Sequence, residues 1–111
     1  MIWQEMQVTL EDLDRAITDP NRICESCLIS QAAMRHFNKP HASTGITCLT
    51  LSDLPEFRGS VIEARLDENA RLLIDLFDSR NYKRLRTLLP TTIKYYIKKV
   101  NYEEERRESF E

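Results

Sequence analysis

A chain of 111 residues with 41% hydrophobic and 31% charged residues is long enough to bury a core without disulfide or metal staples. That balance excludes a disordered chain, and the longest uncharged run, around residues 40–52, is too short and too rich in Ser and Thr to span a bilayer. Two glycines in all exclude a glycine-rich phosphate cradle and most nucleotide-binding fingerprints.

Residues 1–5 carry neither a basic region nor an apolar signal core, and three cysteines is an odd number. The expectation is a cytoplasmic protein without a disulfide framework. The net charge of -2 conceals a division. Residues 1–78 hold 13 acids against 7 bases. Residues 79–102 hold Arg80, Lys83, Arg84, Arg86, Lys94, Lys98 and Lys99 and no acid. The tail 103–111 has five Glu against Arg106 and Arg107. Charge segregated in this way steers a protein toward a charged partner, or toward head-to-tail self-association.

In chain order, residues 3–9 alternate, with Met6, Val8 and Gln4 in opposite phase to Trp3, Glu5 and Gln7; this predicts a strand. Thr9 then caps a short helix, with Glu11 and Asp12 in its first turn and Leu10, Leu13 and Ile17 as its apolar stripe. Pro20 and its Asp and Asn neighbours end that helix. Ser26 is placed to cap a second helix over 27–37. Its buried arc is Leu28, Ile29, Ala32, Ala33 and His36, and its two alanines allow close approach to a sheet.

Residues 38–41 stop this helix, and Ser43, Thr44 and Gly45 read as a turn. The β-branched run 46–51 predicts a strand, residues 53–59 a loop, and residues 61–66 a strand with Ile62, Ala64 and Leu66 on one face. Asp67 caps a third helix with Ala70, Leu73, Ile74 and Phe77 as its stripe, broadened by Leu72 and Leu76. Leu85, Leu88 and Leu89 lead to Pro90. Residues 91–102 alternate, and Thr, Ile and Tyr favour a strand there; a C-terminal helix is the competing reading. The fold class is α+β: a single compact domain over 1–102, helices on one face of a small, mostly antiparallel sheet, with a frayed charged tail over 103–111.

Four groups of residues could carry chemistry. Cys24 and Cys27 have the gap of a zinc-binding pair, and His41 and Cys48 could complete the set; His36 sits on the wrong side of its helix for that role. No second ligand pair follows, so no metal and no cofactor are assigned; Cys27 and Cys48 read as small core side chains, with Cys24 in the preceding loop. Cys27 at a helix start would have a stabilised thiolate, but no histidine base can be placed beside it. Asp75, Asp78 and Glu63 read as solvated charge. The basic stretch is the favoured surface: Arg80, Lys83, Arg84, Arg86, Lys94, Tyr96 and Lys98, with Tyr82, Tyr95, Tyr96 and Tyr102 interleaved. On a strand, Lys94, Tyr96 and Lys98 share one face, which suits phosphate contact and base stacking.

The run of a strand ending Val8-Thr9, a short helix, Cys27-Leu28-Ile29-Ser30-Gln31-Ala32, a two-strand middle and Leu76-Phe77-Asp78 followed by Pro90 resembles small uncharacterised proteins carried by phages and other mobile elements. Such proteins often have proline directly after the cysteine, where this chain has Leu28. The resemblance implies an accessory protein, with inhibition of a host defence as one role, and implies no chemistry. The expectation is therefore a non-enzymatic interaction protein acting through a charged surface on a protein partner, able to self-associate and independent of membranes. The alternatives are a nucleic-acid-binding module using residues 80–99, or a metal- or thiol-dependent protein.

Overall fold

The computed structural model describes residues 2–18, 27–45, 47–54 and 58–101, and of residues 58–60 and 101 the backbone alone. Along the chain run β1 (Gln4–Val8), α1 (Leu10–Thr18), α2 (Leu28–Phe37), β2 (His41–Thr44), β3 (Cys48–Leu54), β4 (Arg58–Leu66), α3 (Glu68–Asp78), α4 (Tyr82–Leu88) and β5 (Thr91–Asn101). The strands form one antiparallel sheet in the order β1-β5-β4-β3-β2. The alternation is thus a strand over Thr91–Asn101, and the architecture is α+β with helices on one face.

Period-two patterning decides which face the helices cover. Met6 pairs with Ile93, Leu66 with Tyr95, Leu49 with Ala64 and Ala42 with Leu51, and each of these is buried. Against this row pack Leu13 and Ala16 of α1, Leu28, Ile29, Ala32 and Ala33 of α2, Ala70 and Leu73 of α3, and Leu85 of α4. Ala32 and Ala33 are fully buried, so α2 lies close to the strands, as small side chains at a helix–sheet contact permit. Each large side chain in this layer contributes about 2 kcal/mol by leaving water.

Side-chain caps fix the helix starts. The Asp67 carboxylate accepts from the Ala70 amide at 3.0 Å and, with its second oxygen, from the Lys94 amide at 3.0 Å, tying the start of α3 to β5. Thr9 and Asp12 cap α1 reciprocally: the Asp12 amide donates to Thr9 Oγ1 at 3.2 Å, and the Thr9 amide donates to the Asp12 carboxylate at 3.0 Å.

Several expectations are corrected. Helix α2 starts at Leu28 rather than Cys27, and Cys27 is its cap: its Sγ accepts from the Ser30 amide at 3.4 Å. Ser43 and Thr44 belong to a strand, β2, and only the Gly45 end turns, with its amide bonded to the Cys48 carbonyl at 2.8 Å. One buried side chain, Ala42, in a four-residue edge strand left too little alternation to read. Asp53 and Leu54 likewise continue β3 rather than opening a loop. The stretch that leads through Leu85, Leu88 and Leu89 to Pro90 is a helix, α4; Asn81 starts it by accepting from the Arg84 amide at 3.3 Å, and Leu85 is its one buried residue. Leu10 and Leu72 are exposed rather than part of their stripes, because Asp12 takes the inward position of α1 and Ala70 and Leu73 suffice for α3. The expected turn at Pro20, the cap at Ser26 and the frayed tail 103–111 lie outside the described residues.

Candidate binding surface

The face of the sheet away from the helices is chemically different. Opposite phase to the core row places Trp3, Glu5 and Gln7 beside Thr92, Lys94 and Tyr96, and these beside Glu63 and Arg65. All eight are exposed or partly exposed. Trp3 and Tyr96 meet edge to face, with ring centroids 4.8 Å apart and planes at 89°, the arrangement that ring quadrupoles favour. Arg65 pairs with Tyr96 from the other side, so the aromatic pair is flanked by a guanidinium. Lys94 lies two residues from Tyr96 on the same strand.

A bulge sharpens the charge at the far end of β5. Ala64 pairs with Ile97 but Glu63 pairs with Lys99, which leaves Lys98 as the extra residue. Lys98 and Lys99 are both exposed. None of Arg65, Lys94, Lys98 and Lys99 forms an ion pair with a described residue. Among the described residues, Glu5 opposite Lys94 and Glu63 opposite Lys99 are the acids of this surface, so its described side chains are net positive in a net negative protein.

The seven expected contact residues are not brought together. Lys94, Tyr96 and Lys98 lie on β5 as expected, whereas Arg80, Lys83, Arg84 and Arg86 belong to the helix layer, because Leu85 anchors α4 in the core. Arg86 pairs with Asp14 of α1 at 2.9 Å. Lys83 and Arg84 border a shallow groove with Asn81 and Thr87, without an exposed aromatic plane: Tyr82 leans on Phe77, centroids 5.6 Å apart, and packs against the core. Tyr95 is buried on the helix side, where its hydroxyl donates to Gln4 Oε1 at 3.2 Å and meets His36 Nε2 at 3.0 Å. Burial raises the Tyr95 hydroxyl above its ordinary value. Burial, and then the Arg35 charge, hold His36 below its own. Of the interleaved tyrosines, Tyr96 alone among the described residues reaches the open face, and Tyr102 lies outside them.

The cysteine candidates are also dispersed. Cys24 lies outside the described residues. Cys27 is half-buried at the start of α2; its thiol donates to Ser30 Oγ at 3.2 Å, and Ser30 Oγ lies 2.7 Å from Thr44 Oγ1. A small cavity of about 150 Å³ between Cys27, Thr44, Ile74, Phe77 and Asp78 opens beside it. Cys48 is exposed at the start of β3, and His41 lies on β2, paired with Ser52. Among the described residues no three His, Cys, Asp or Glu side chains converge as a metal site would require. His36 lies near the far end of α2, about 13 Å from Cys27 at the helical rise, too far to act as its base.

One buried charge escaped the sequence reading. Asp12 is fully buried, where its carboxylate accepts from Arg35 Nε at 3.1 Å and Arg35 Nη2 at 2.9 Å and also bonds Arg15. Arg35 Nη2 further donates to the Gln7 carbonyl at 2.8 Å, so one carboxylate joins α1, α2 and β1. Burial alone would raise its pKa, but the bonds from Arg35 and Thr9 outweigh burial and hold it below the ordinary value. The Thr-x-x-Asp spacing was the available signal. This node is saturated by its own partners, which is the mark of a structural charge. The second residue missed is Trp3, whose phase was read but whose pairing with Tyr96 was not.

No protein-family model, curated protein or solved structure matches the chain. No described helix is long and apolar enough to cross a membrane.

Proposed function

We propose that this chain is a non-enzymatic interaction module that recognises an anionic partner through the helix-free face of its sheet. The observation that carries this reading is the Trp3–Tyr96 pair set among Arg65, Lys94, Lys98 and Lys99, cations without an ion-pair partner among the described residues. Unpaired exposed cations around a desolvatable aromatic centre combine electrostatic attraction with contact area that loses little entropy on binding. Among the described residues, the groups that could supply nucleophilic or metal chemistry support the same class, since Cys27, His36, His41 and Cys48 do not converge. An accessory role of the kind implied by the resemblance to phage-borne proteins belongs to the proposal and requires nothing beyond a binding face.

Retention on immobilised heparin tests the choice of face. Reversing Lys94 and Lys98 to Glu on β5 is expected to lower the salt concentration needed for elution. Reversing Lys83 and Arg84 to Glu on α4 is expected to leave it nearly unchanged. The opposite pattern would move the binding surface to the helix layer and sink the proposal.

A further inference from the structure

We infer that the partner taken by this face is a single-stranded nucleic acid, with an unpaired base stacking on the Trp3–Tyr96 pair and flanking phosphates meeting Arg65, Lys94 and the Lys98–Lys99 bulge. This rests on the reading of the open face as the binding surface and names the class of partner. Trp3 is 45% exposed although its edge-to-face contact with Tyr96 holds it in place. A restrained, half-exposed aromatic ring loses little freedom when a second planar group stacks on it, and every base offers such a plane.

Geometry favours a single strand over a duplex. The helices, including α4, lie on the other side of the sheet, so no described helix projects from the open face to enter a major groove. In a duplex the base faces are covered by their neighbours; in a single strand they can be splayed onto a sheet. An acidic polypeptide would satisfy the cations but has no plane for the aromatic pair. The charge is complementary but modest, because Glu5 and Glu63 lie among the cations. About three phosphate contacts are therefore expected, with log affinity falling against log salt at a slope of roughly -2.

Trp3 is the sole tryptophan of the chain, so intrinsic fluorescence reads this face directly. The full chain is titrated at low salt with short oligothymidylate, oligouridylate, a mixed-sequence duplex and poly-glutamate. Quenching by the single strands is expected, with weaker or no response to the duplex. Tyr96→Ala should weaken single-strand affinity about tenfold, Lys94→Glu should weaken it and flatten the salt slope, and Lys83→Glu should change neither. A duplex that binds as tightly as the single strands would overturn the stacking inference. Quenching by poly-glutamate but not by single strands, lost in Lys94→Glu, would overturn the nucleic-acid assignment while the open-face reading stands. No response to either polymer, joined to heparin retention insensitive to Lys94 and Lys98, would overturn both.

Discussion

The two faces of β5 divide the work of the molecule residue by residue. Ile93 and Tyr95 point into the helix layer and are buried, while Lys94 and Tyr96 alternate with them toward solvent. The covered face resolves its polar groups internally: Asp12 is held by Arg15, Arg35 and Thr9, and the Tyr95 hydroxyl by Gln4 and His36. The open face does not, leaving Arg65, Lys94, Lys98 and Lys99 without ion-pair partners among the described residues. Pairing alone does not separate the faces, because Arg71, Arg80, Lys83 and Arg84 of the helix layer also form no ion pair with a described residue; the open face differs in setting its cations around an aromatic pair.

That comparison can be broken by substitutions on one strand. Ile93→Ala removes a fully buried side chain and should cost about 3 kcal/mol of unfolding free energy, measured by urea denaturation, whereas Tyr96→Ala should cost about 1 kcal/mol, the worth of its contact with Trp3. If Tyr96→Ala were as damaging as Ile93→Ala, the open face would be part of the core. Asp12→Asn should fall between them, at about 2 kcal/mol. It leaves Arg35 and Arg15 without their carboxylate, but both guanidinium groups are about half exposed and water partly compensates.

The acid limb of a stability profile separates two groups of the helix layer, the buried Asp12 and the exposed His36. The Asp12 pKa is depressed in the folded state, so its contribution is present above the unfolded value of 3.8 and is lost as pH falls through the lower folded value. His36 is also depressed. Its folded form disfavours the proton, so its contribution is present above the ordinary histidine value of about 6.5 and is lost as pH falls below it. Thermal melts across pH 7 to 5 should show a small decline in the native protein that is absent in His36→Gln. A decline of equal size in both would remove His36 from the account.

The smallest effect concerns Arg80, which holds a left-handed backbone conformation at φ 59 where α3 passes to α4. Arg80→Gly should stabilise the chain by about 0.5 kcal/mol, the backbone relief exceeding the entropic cost of glycine. It should leave heparin retention unchanged, since Arg80 is not on the open face.

How much of this was legible follows from the range of each interaction. The phases of Met6 and Val8, of Ile62, Ala64 and Leu66, and of Lys94, Tyr96 and Lys98 are local and were readable, as were the caps at Thr9 and Asp67. Strand β2 was hidden because His41, Ser43 and Thr44 are polar or turn-prone and Ala42 alone is buried. Helix α4 was hidden because Lys83, Arg84 and Arg86 surround a single buried Leu85. Two features of the surface were beyond reach for a different reason. The approach of Trp3 to Tyr96 depends on the first strand pairing with the last. The separation of Arg80 to Arg86 from Lys94 to Lys98 depends on the helix layer ending at Leu89 before the chain re-enters the sheet. Neither leaves a periodic trace. Asp12 was taken for a first-turn acid because nothing adjacent announces Arg35.

The most direct test of the central claim is a map of backbone amide shifts in the full chain as oligothymidylate is added. The account predicts perturbations concentrated at Trp3, Glu5, Arg65, Lys94, Tyr96 and Lys98, with Leu28 to Phe37 and Asn81 to Arg86 nearly silent. Perturbations centred on Lys83, Arg84 and Arg86, with the open face unmoved, would contradict it.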